Sequence, residues 1–194
     1  MRGVEQIPWL YDAMCRVLEA TGLSRWRAWL VRDVGSPALE VGCGTGRNLP
    51  RYARELALVA VDPSLDALQR ARLRAPGIPL VCASAEALPF RDGAFTTVVS
   101  SLVFCSVPDV PQGLAEVHRV LAPHGALKML EHVRSTSKLG GRWDDLIQPL
   151  WTWAAGGCHP NRDTEAAVAR AGFEIDPTSL RAKGSMRRFH AQRR

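Results

Sequence analysis

What is missing from this 194-residue sequence narrows the classes of protein to consider. No apolar run approaches the roughly 18 residues that would span a membrane as a helix. The N-terminal stretch MRGVEQIPWLYDAMCRVLEATG places charges among its apolar positions, so it lacks the uninterrupted core of a secretory signal. The five cysteines, an odd number, include no Cys-x-x-Cys pair, which argues against a disulfide framework and against a structural zinc site. These absences predict a cytoplasmic protein with reduced thiols and no metal site.

The sequence also has little net positive charge outside its last fourteen residues. The net charge is +6, and much of it lies in the last fourteen residues, RAKGSMRRFHAQRR. Such a patch can bind nucleic acid or an anionic membrane, but a basic tail on an enzyme explains it more simply. We expect a small-molecule substrate and no nucleic-acid partner. Peripheral membrane contact and the oligomeric state stay open.

Strand-like and helix-like segments alternate from Ala38 onward, which is typical of a parallel α/β sheet. Ser64 and Asp109 are expected to cap the two helices between the strands. The predicted strands are 38–41, 56–62, 78–84, 95–103 and 126–133, the predicted helices are 64–75 and 110–123, and a helix ending at Gly172 precedes two final strands. We therefore expect a single domain with its core at 38–133 and a C-terminal helix and strands at 161–194.

Two segments lie outside this alternation. Residues 1–33 form a predicted helical cap, and residues 134–160 form a predicted insertion on the substrate side of the sheet. The apolar face of the cap is predicted to contain Trp9, Leu10, Met14, Val17, Leu18, Trp26, Trp29 and Leu30, and the insertion contains Trp143, Trp151 and Trp153. The tryptophans of the insertion either wall an apolar substrate pocket or form a small core of their own.

A glycine-rich stretch, ALEVGCGTGRN at 38–48, follows the first predicted strand. A dinucleotide-binding loop would have its last glycine at position 47, which is Arg47 here, so the spacing is G-x-G-x-G. Glycine permits the sharp turn and the close approach of backbone to a ligand. Preceded by Glu40, the stretch resembles motif I of the class I S-adenosylmethionine-dependent methyltransferases.

Further motifs extend this resemblance. Asp62 ends the second predicted strand, where its carboxylate can accept hydrogen bonds from ribose hydroxyls; the alternative is that it only caps the following helix. The stretches ASAEALPFRDGAFTTVVSSLVF and DVPQGLAEVHRVLAPHGALKMLEHV resemble the third to fifth motif regions of the ubiquinone/menaquinone-type and type 11 methyltransferases. The family frequently has aspartate at the position of Ser84, so adenine is expected to bind through Ala85 and Glu86 instead. The resemblance implies S-adenosylmethionine as cofactor, bound by Glu40, Gly42, Cys43, Gly44, Gly46, Asp62, Pro63, Ser84, Ala85, Glu86 and Ser101.

Three shorter stretches, SSLVFCSV, LEHV and GGCHPNRDT, resemble the methyltransferase-like 7 group of alkyl thiol methyltransferases. The long hydrophobic N-terminal anchor of the animal members does not occur in this sequence. The resemblance implies a Rossmann-like α/β fold, with a seven-stranded, mostly parallel sheet, helices on both faces and an antiparallel last strand. It also implies methylation of a small apolar thiol. The alternatives are methylation of a quinone precursor or a phospholipid amine, and a cofactor-binding module without catalysis.

Methyl transfer from a sulfonium is an in-line displacement that does not require a metal or a dedicated base. His132, at the end of the fifth predicted strand, is the candidate base; the alternative is a histidine bonded to nearby backbone. Cys105 is the other catalytic candidate, and it can equally be a small buried apolar residue. The adjacent Cys158 and His159 lack the spacing of zinc ligands, so no metal site is expected.

Overall fold

A computed structural model of the chain describes residues 22–135, 137, 140–143, 145, 146, 148, 159 and 161–194. The strands are β1 (Ala38–Val41), β2 (Leu58–Asp62), β3 (Leu80–Cys82), β4 (Phe95–Ser101), β5 (Leu121–His132), β6 (Phe173–Ile175), β7 (Arg181–Lys183) and β8 (Met186–Arg193). The helices are α1 (Ser24–Val31), α2 (Leu65–Arg74), α3 (Val110–Val120) and α4 (Thr164–Arg170), and a 3-10 turn spans Leu49–Arg51.

These eight strands form one sheet in the order β3-β2-β1-β4-β5-β8-β6, with β7 paired to β8. The pairs from β3 to β5 are parallel, whereas β8 runs antiparallel to β5, β6 and β7. The predicted fold class is confirmed. Over the described residues, the sheet has one strand more than the seven predicted, because the short and exposed β7 forms a hairpin with β8 through a turn at Gly184.

Alternate residues of the central strands face two separate apolar layers. On one face, Leu39 and Val41 join a core that includes Leu114 of α3 and Val168 of α4. On the other face, Ala38 joins a core that includes residues of α1 and α2. Helices therefore cover both faces, as expected, and they leave the carboxyl edge of the parallel strands accessible.

The predicted helix caps are confirmed. The Ser64 side chain accepts a hydrogen bond from the Ala67 amide (3.3 Å), and the Asp109 side chain accepts one from the Gln112 amide (3.0 Å). Helix α3 ends at Val120 instead of 123, because the residue before Pro123 is disfavoured in helical conformation. The chain then bulges before β5 resumes its pairing at Ala126.

Part of the predicted cap and of the insertion lies outside the described residues: Trp9, Leu10, Met14, Val17, Leu18, Asp144, Trp151, Trp153 and Cys158. The described part of the cap is α1, which packs on β4 and β5 with Leu30 fully buried. Trp143 of the insertion is 62% exposed. None of the helices in the described ranges has the length and apolar character needed to cross a membrane.

Candidate active site

A cavity of about 940 Å³ opens at the carboxyl ends of β1, β2 and β4. Chain connections leave β1 and β4 toward opposite sides of the sheet, which is where ligands bind in open α/β folds. The lining residues are Arg27, Glu40 to Thr45, Arg47, Asn48, Asp62 to Ala67, Ala83 to Glu86, Ser101 to Val103 and Ser106 to Pro108. The structure thus brings together the predicted cofactor-binding residues at one edge, with the exception of Gly46.

The glycine turn follows β1 and forms one side of the cavity. A Cβ added to Gly42, whose φ is +66°, would lie 2.3 Å from Cγ2 of Val103, so a side chain is excluded there. Gly44 has a φ of +53°, and a Cβ on it would meet no atom within 4 Å. Its backbone is therefore exposed to a ligand in the cavity. Gly46 has a different position, since its added Cβ would lie 2.9 Å from Cα of Ala71 in α2.

Asp62 ends β2 and links the glycine turn to the start of α2. Its carboxylate accepts hydrogen bonds from the Gly44 amide (2.8 Å) and the Ser64 amide (2.9 Å). Burial raises the pKa of this carboxyl, and the two amides oppose that rise. Ser64, and not Asp62, caps α2. Asp62 therefore orients the turn and presents a carboxylate to the cavity.

A buried polar network lies beside the glycine turn. The Asn48 side chain donates to Glu40 Oε1 (2.9 Å), and Arg27 of α1 donates to Asn48 Oδ1 (2.8 Å) and to Ser101 Oγ (3.3 Å). Burial raises the pKa of Glu40 to about 7, although Asn48 and the Arg27 charge oppose it. Burial, together with the nearby Glu40 and Asp62 carboxyls, also raises the pKa of the Cys43 thiol, which keeps it protonated.

The loop after β3 forms another part of the lining. Ser84, Ala85 and Glu86 all line the cavity. Glu86 is tied to the start of α3, since its Oε1 accepts from the Asp109 amide (3.4 Å) and its carbonyl oxygen accepts from Gln112 Nε2 (3.2 Å). These two contacts hold the loop against the start of α3.

The two catalytic candidates predicted from the sequence lie outside the cavity lining. Neither His132 nor Cys105 is among the described residues that line the cavity. Cys105 is 2% exposed, and its carbonyl oxygen accepts a hydrogen bond from the His159 amide (2.7 Å). Their catalytic roles stay predictions. Among the described residues, no cluster of three or more His, Cys, Asp or Glu side chains could hold a metal ion.

Several lining residues were not predicted from the sequence. Arg27 lies between the apolar Trp26 and Trp29 of α1, and only the fold shows that it is 3% exposed and lines the cavity. Asn48 follows the third glycine by two residues, a position that could have suggested a role in the turn. The apolar residues Val107 and Pro108 gave no signal, because they lie in a loop whose path depends on distant contacts.

Comparison with known proteins agrees with this geometry. Residues 39–129 match a family described as a methyltransferase domain. The human thiol S-methyltransferase TMT1A is 33% identical over 143 residues, covering 70% of this chain and 59% of the human protein. The demethylmenaquinone methyltransferase of Renibacterium salmoninarum is 36% identical over 131 residues, covering 65% of this chain and 55% of that protein.

The solved structures show the same fold. One is a S-adenosylmethionine-dependent methyltransferase of Thermotoga maritima, described as a possible histamine N-methyltransferase. It has a TM-score of 0.67 and 22% identity, covering 87% of this chain and 88% of that one. This chain spans less than two thirds of the length of the two sequence relatives. The match over the sheet and the glycine turn, with the shared fold, shows that the chain belongs to the class I S-adenosylmethionine-dependent methyltransferases of the type 11 group.

Proposed function

We propose that this chain binds S-adenosylmethionine in the cavity and transfers its methyl group to a small, apolar acceptor, with a thiol as the best candidate. The observation that carries the choice of acceptor is the wall after β4. That wall contributes Leu102, Val103, Ser106, Val107 and Pro108 to the cavity, and none of these has a charged side chain.

The residues present fit the cofactor. Gly44 leaves open a space that a side chain would fill, and the carboxyl groups of Glu40 and Asp62 both line the cavity. We assign Asp62 to the ribose hydroxyls and the loop from Ser84 to Glu86 to the adenine. The Gly44 backbone, with Glu40 and Arg27 nearby, lies where the amino acid end would be held. When bound, the cofactor supplies an electrophilic methyl group.

The distribution of charge in the cavity supports an apolar acceptor. The lining residues with ionisable carboxyl or guanidinium groups are Arg27, Glu40, Arg47, Asp62, Asp66 and Glu86, and all of them lie on the α1, β1, β2 or β3 side. A protonated amine would find no carboxylate among the described residues of the wall after β4. A thiol has an ordinary pKa near 8.5 and supplies some thiolate at neutral pH, so it needs no strong base.

A second candidate is a quinone precursor, because the Renibacterium relative acts on demethylmenaquinone and the same apolar wall suits a quinol. A phospholipid amine fits less well, because the described residues of the wall after β4 offer no carboxylate to a protonated amine. A cofactor-binding module without catalysis would have the same cavity lining as an enzyme, because a fold does not determine a function. Only a measurement of turnover distinguishes the two. A cytoplasmic location stays a prediction.

The test is a screen of acceptors with S-adenosylmethionine labelled in its methyl group. The panel contains a small alkyl thiol, an amine, a phenol and a quinol, each at matched concentrations. We expect label in the thiol product and little in the amine. Labelled quinol with an unlabelled thiol would select the second candidate, and retention of cofactor without any product would leave a binding module.

A further inference from the structure

The loop that follows β4, residues 102–108, is called here the acceptor loop. Five of its seven residues line the cavity. Its first residue, Leu102, has a φ of +60°, a left-handed backbone conformation that residues other than glycine rarely adopt. The Leu102 amide donates to the carbonyl oxygen of Leu130 in β5 (2.7 Å). Such a loop keeps its shape only where neighbouring groups determine it.

One side of the acceptor loop is held by a buried carboxyl group. Glu131 is fully buried, and its Oε1 accepts hydrogen bonds from the amides of Val103 (3.2 Å) and Phe104 (3.3 Å) and from Ser100 Oγ (3.0 Å). Burial raises the pKa of Glu131 to about 7, and these donors oppose the rise. Removing the acceptor would leave two consecutive amides of the loop unsatisfied.

The opposite side of the loop is held by a guanidinium group. Arg162 donates from one nitrogen to the carbonyl oxygens of Phe104 (2.7 Å) and Val107 (2.6 Å). The neighbouring His159 amide donates to the carbonyl oxygen of Cys105. The residue Phe104 is thus held through its N–H by Glu131 and through its C=O by Arg162. His159 and Arg162 thus both donate hydrogen bonds to backbone carbonyl oxygens of the acceptor loop.

We propose that Glu131 and Arg162 are positioning residues that fix the acceptor loop and so determine how well the acceptor, rather than the cofactor, is bound and oriented. The inference rests on the proposed function, because it assigns the wall after β4 to the acceptor. Methyl transfer depends on alignment of the nucleophile with the methyl group, and a loose wall lowers the fraction of aligned complexes. Neither residue lines the cavity, so each acts through the loop.

Two variants replace the hydrogen-bonding group by an unbranched apolar side chain, and a third keeps an acceptor. Glu131→Met and Arg162→Met are the disruptive changes, and Glu131→Gln is the conservative one, since its amide oxygen can still accept from the two amides. Arg119→Met is the matched control. Arg119 also donates to two backbone carbonyl oxygens, those of Leu88 (2.9 Å) and Phe90 (2.7 Å), which lie in the part of the β3–β4 loop that does not line the cavity.

Four quantities are measured for each variant: the cofactor Kd, the kcat for the thiol, the KM for the thiol, and the rate of hydrogen exchange at the Val103 and Phe104 amides. We expect the two disruptive variants to raise the acceptor KM at least tenfold and to speed exchange at both amides. The cofactor Kd should change less than threefold. Glu131→Gln should recover most of both effects, and Arg119→Met should leave the acceptor KM unchanged.

Faster exchange without any change in KM or kcat would overturn the proposal, because the contacts would then serve the fold alone. An equal loss of cofactor and acceptor binding would overturn it as well. Failure of the proposed function looks different, since wild-type protein would then methylate no thiol. If the screen identifies a quinol instead, the same variants are compared with that acceptor, and the same outcomes apply.

Discussion

At the scale of single residues, Asp62 holds the glycine turn and, in our proposal, also binds the ribose. Its two oxygens accept from the Gly44 and Ser64 amides, so it holds the turn against the helix. A carboxylate oxygen can accept more than one hydrogen bond, which leaves capacity for ribose hydroxyls. The two contributions have to be separated by experiment.

Asp62→Ala is expected to weaken S-adenosylmethionine binding strongly while the protein stays folded. Each hydrogen bond to a charged group contributes on the order of 1.5 to 3 kcal/mol, so the loss of one bond raises Kd about tenfold or more. Calorimetry measures the affinity, and circular dichroism checks the fold. An unchanged affinity would remove Asp62 from the site.

The ribose assignment is tested with S-adenosylhomocysteine and its 2′-deoxyribose analogue. In wild-type protein the missing hydroxyl should weaken binding, and in Asp62→Ala it should have little further effect, because the partner is already gone. An equal loss in both proteins would mean that Asp62 acts only on the glycine turn.

At Gly44, the effect of backbone strain on stability can likewise be separated by experiment from the effect of ligand contact on binding. Gly44→Val should abolish cofactor binding, since the new side chain would occupy the cavity. Gly184→Val is the matched control: Gly184 has a φ of +57°, compared with +53° for Gly44, and a Cβ there also meets no atom within 4 Å. Both changes should lower the free energy of unfolding by roughly 1–2 kcal/mol.

Denaturant titration and calorimetry on the two glycine variants give both quantities. If Gly184→Val were to lose cofactor binding as well, the effect would come from general destabilisation. Normal binding by Gly44→Val would mean that the glycine turn does not touch the cofactor.

At the scale of elements, positively charged side chains of the sheet attach helix α1 to it. Lys128 of β5 is 8% exposed, its Nζ lies 5.1 Å from the ring centre of Trp29, and it donates to the carbonyl oxygens of Trp29 and Arg32 at the end of the helix. Burial lowers its pKa. The same helix brings Arg27 to the cavity, so the attachment of α1 bears on the site.

Lys128→Met removes these donors and keeps most of the apolar stem. We expect a loss of about 1–3 kcal/mol in stability and a severalfold weaker binding of cofactor, because Arg27 is no longer held beside Asn48 and Ser101. A double-mutant cycle with Arg27→Met tests whether Lys128→Met weakens cofactor binding through Arg27. Additive effects on Kd would show that α1 does not act through Arg27.

The elements also show what could be predicted from the sequence. Apolar runs that end in a polar residue, such as the one ending at Asp62, predicted the parallel strands and their shared edge. Ser64 and Asp109 were recognisable caps because capping is local. The strand β7 was missed since its three residues are exposed and pair only through a hairpin. Arg27 and Arg162 were missed as site residues because their hydrogen-bond partners lie 21 to 74 residues away in the sequence.

At the scale of the whole molecule, the fold positions the cofactor and leaves the acceptor to a few loops. Relatives that are 33% and 36% identical to this chain are named for a thiol and for demethylmenaquinone, so the family does not determine the acceptor. In our proposal, the residues that contact the acceptor are those of the cavity wall after β4. The ionisation of the acceptor then becomes the observable that identifies it.

For a thiol acceptor, the rate at low acceptor concentration should rise about tenfold per pH unit below the thiol pKa of roughly 8.5 and level off above it, since the thiolate is the nucleophile. Initial rates from pH 6 to pH 9.5 measure this profile, with an alkyl thiol of lower pKa shifting the midpoint downward. His132→Ala provides the comparison. A loss of rate confined to the acidic side would give His132 the role of base predicted from the sequence, whereas an unchanged profile would mean that the acceptor ionises without it. A flat profile for the wild-type protein with a thiol would contradict direct attack by thiolate.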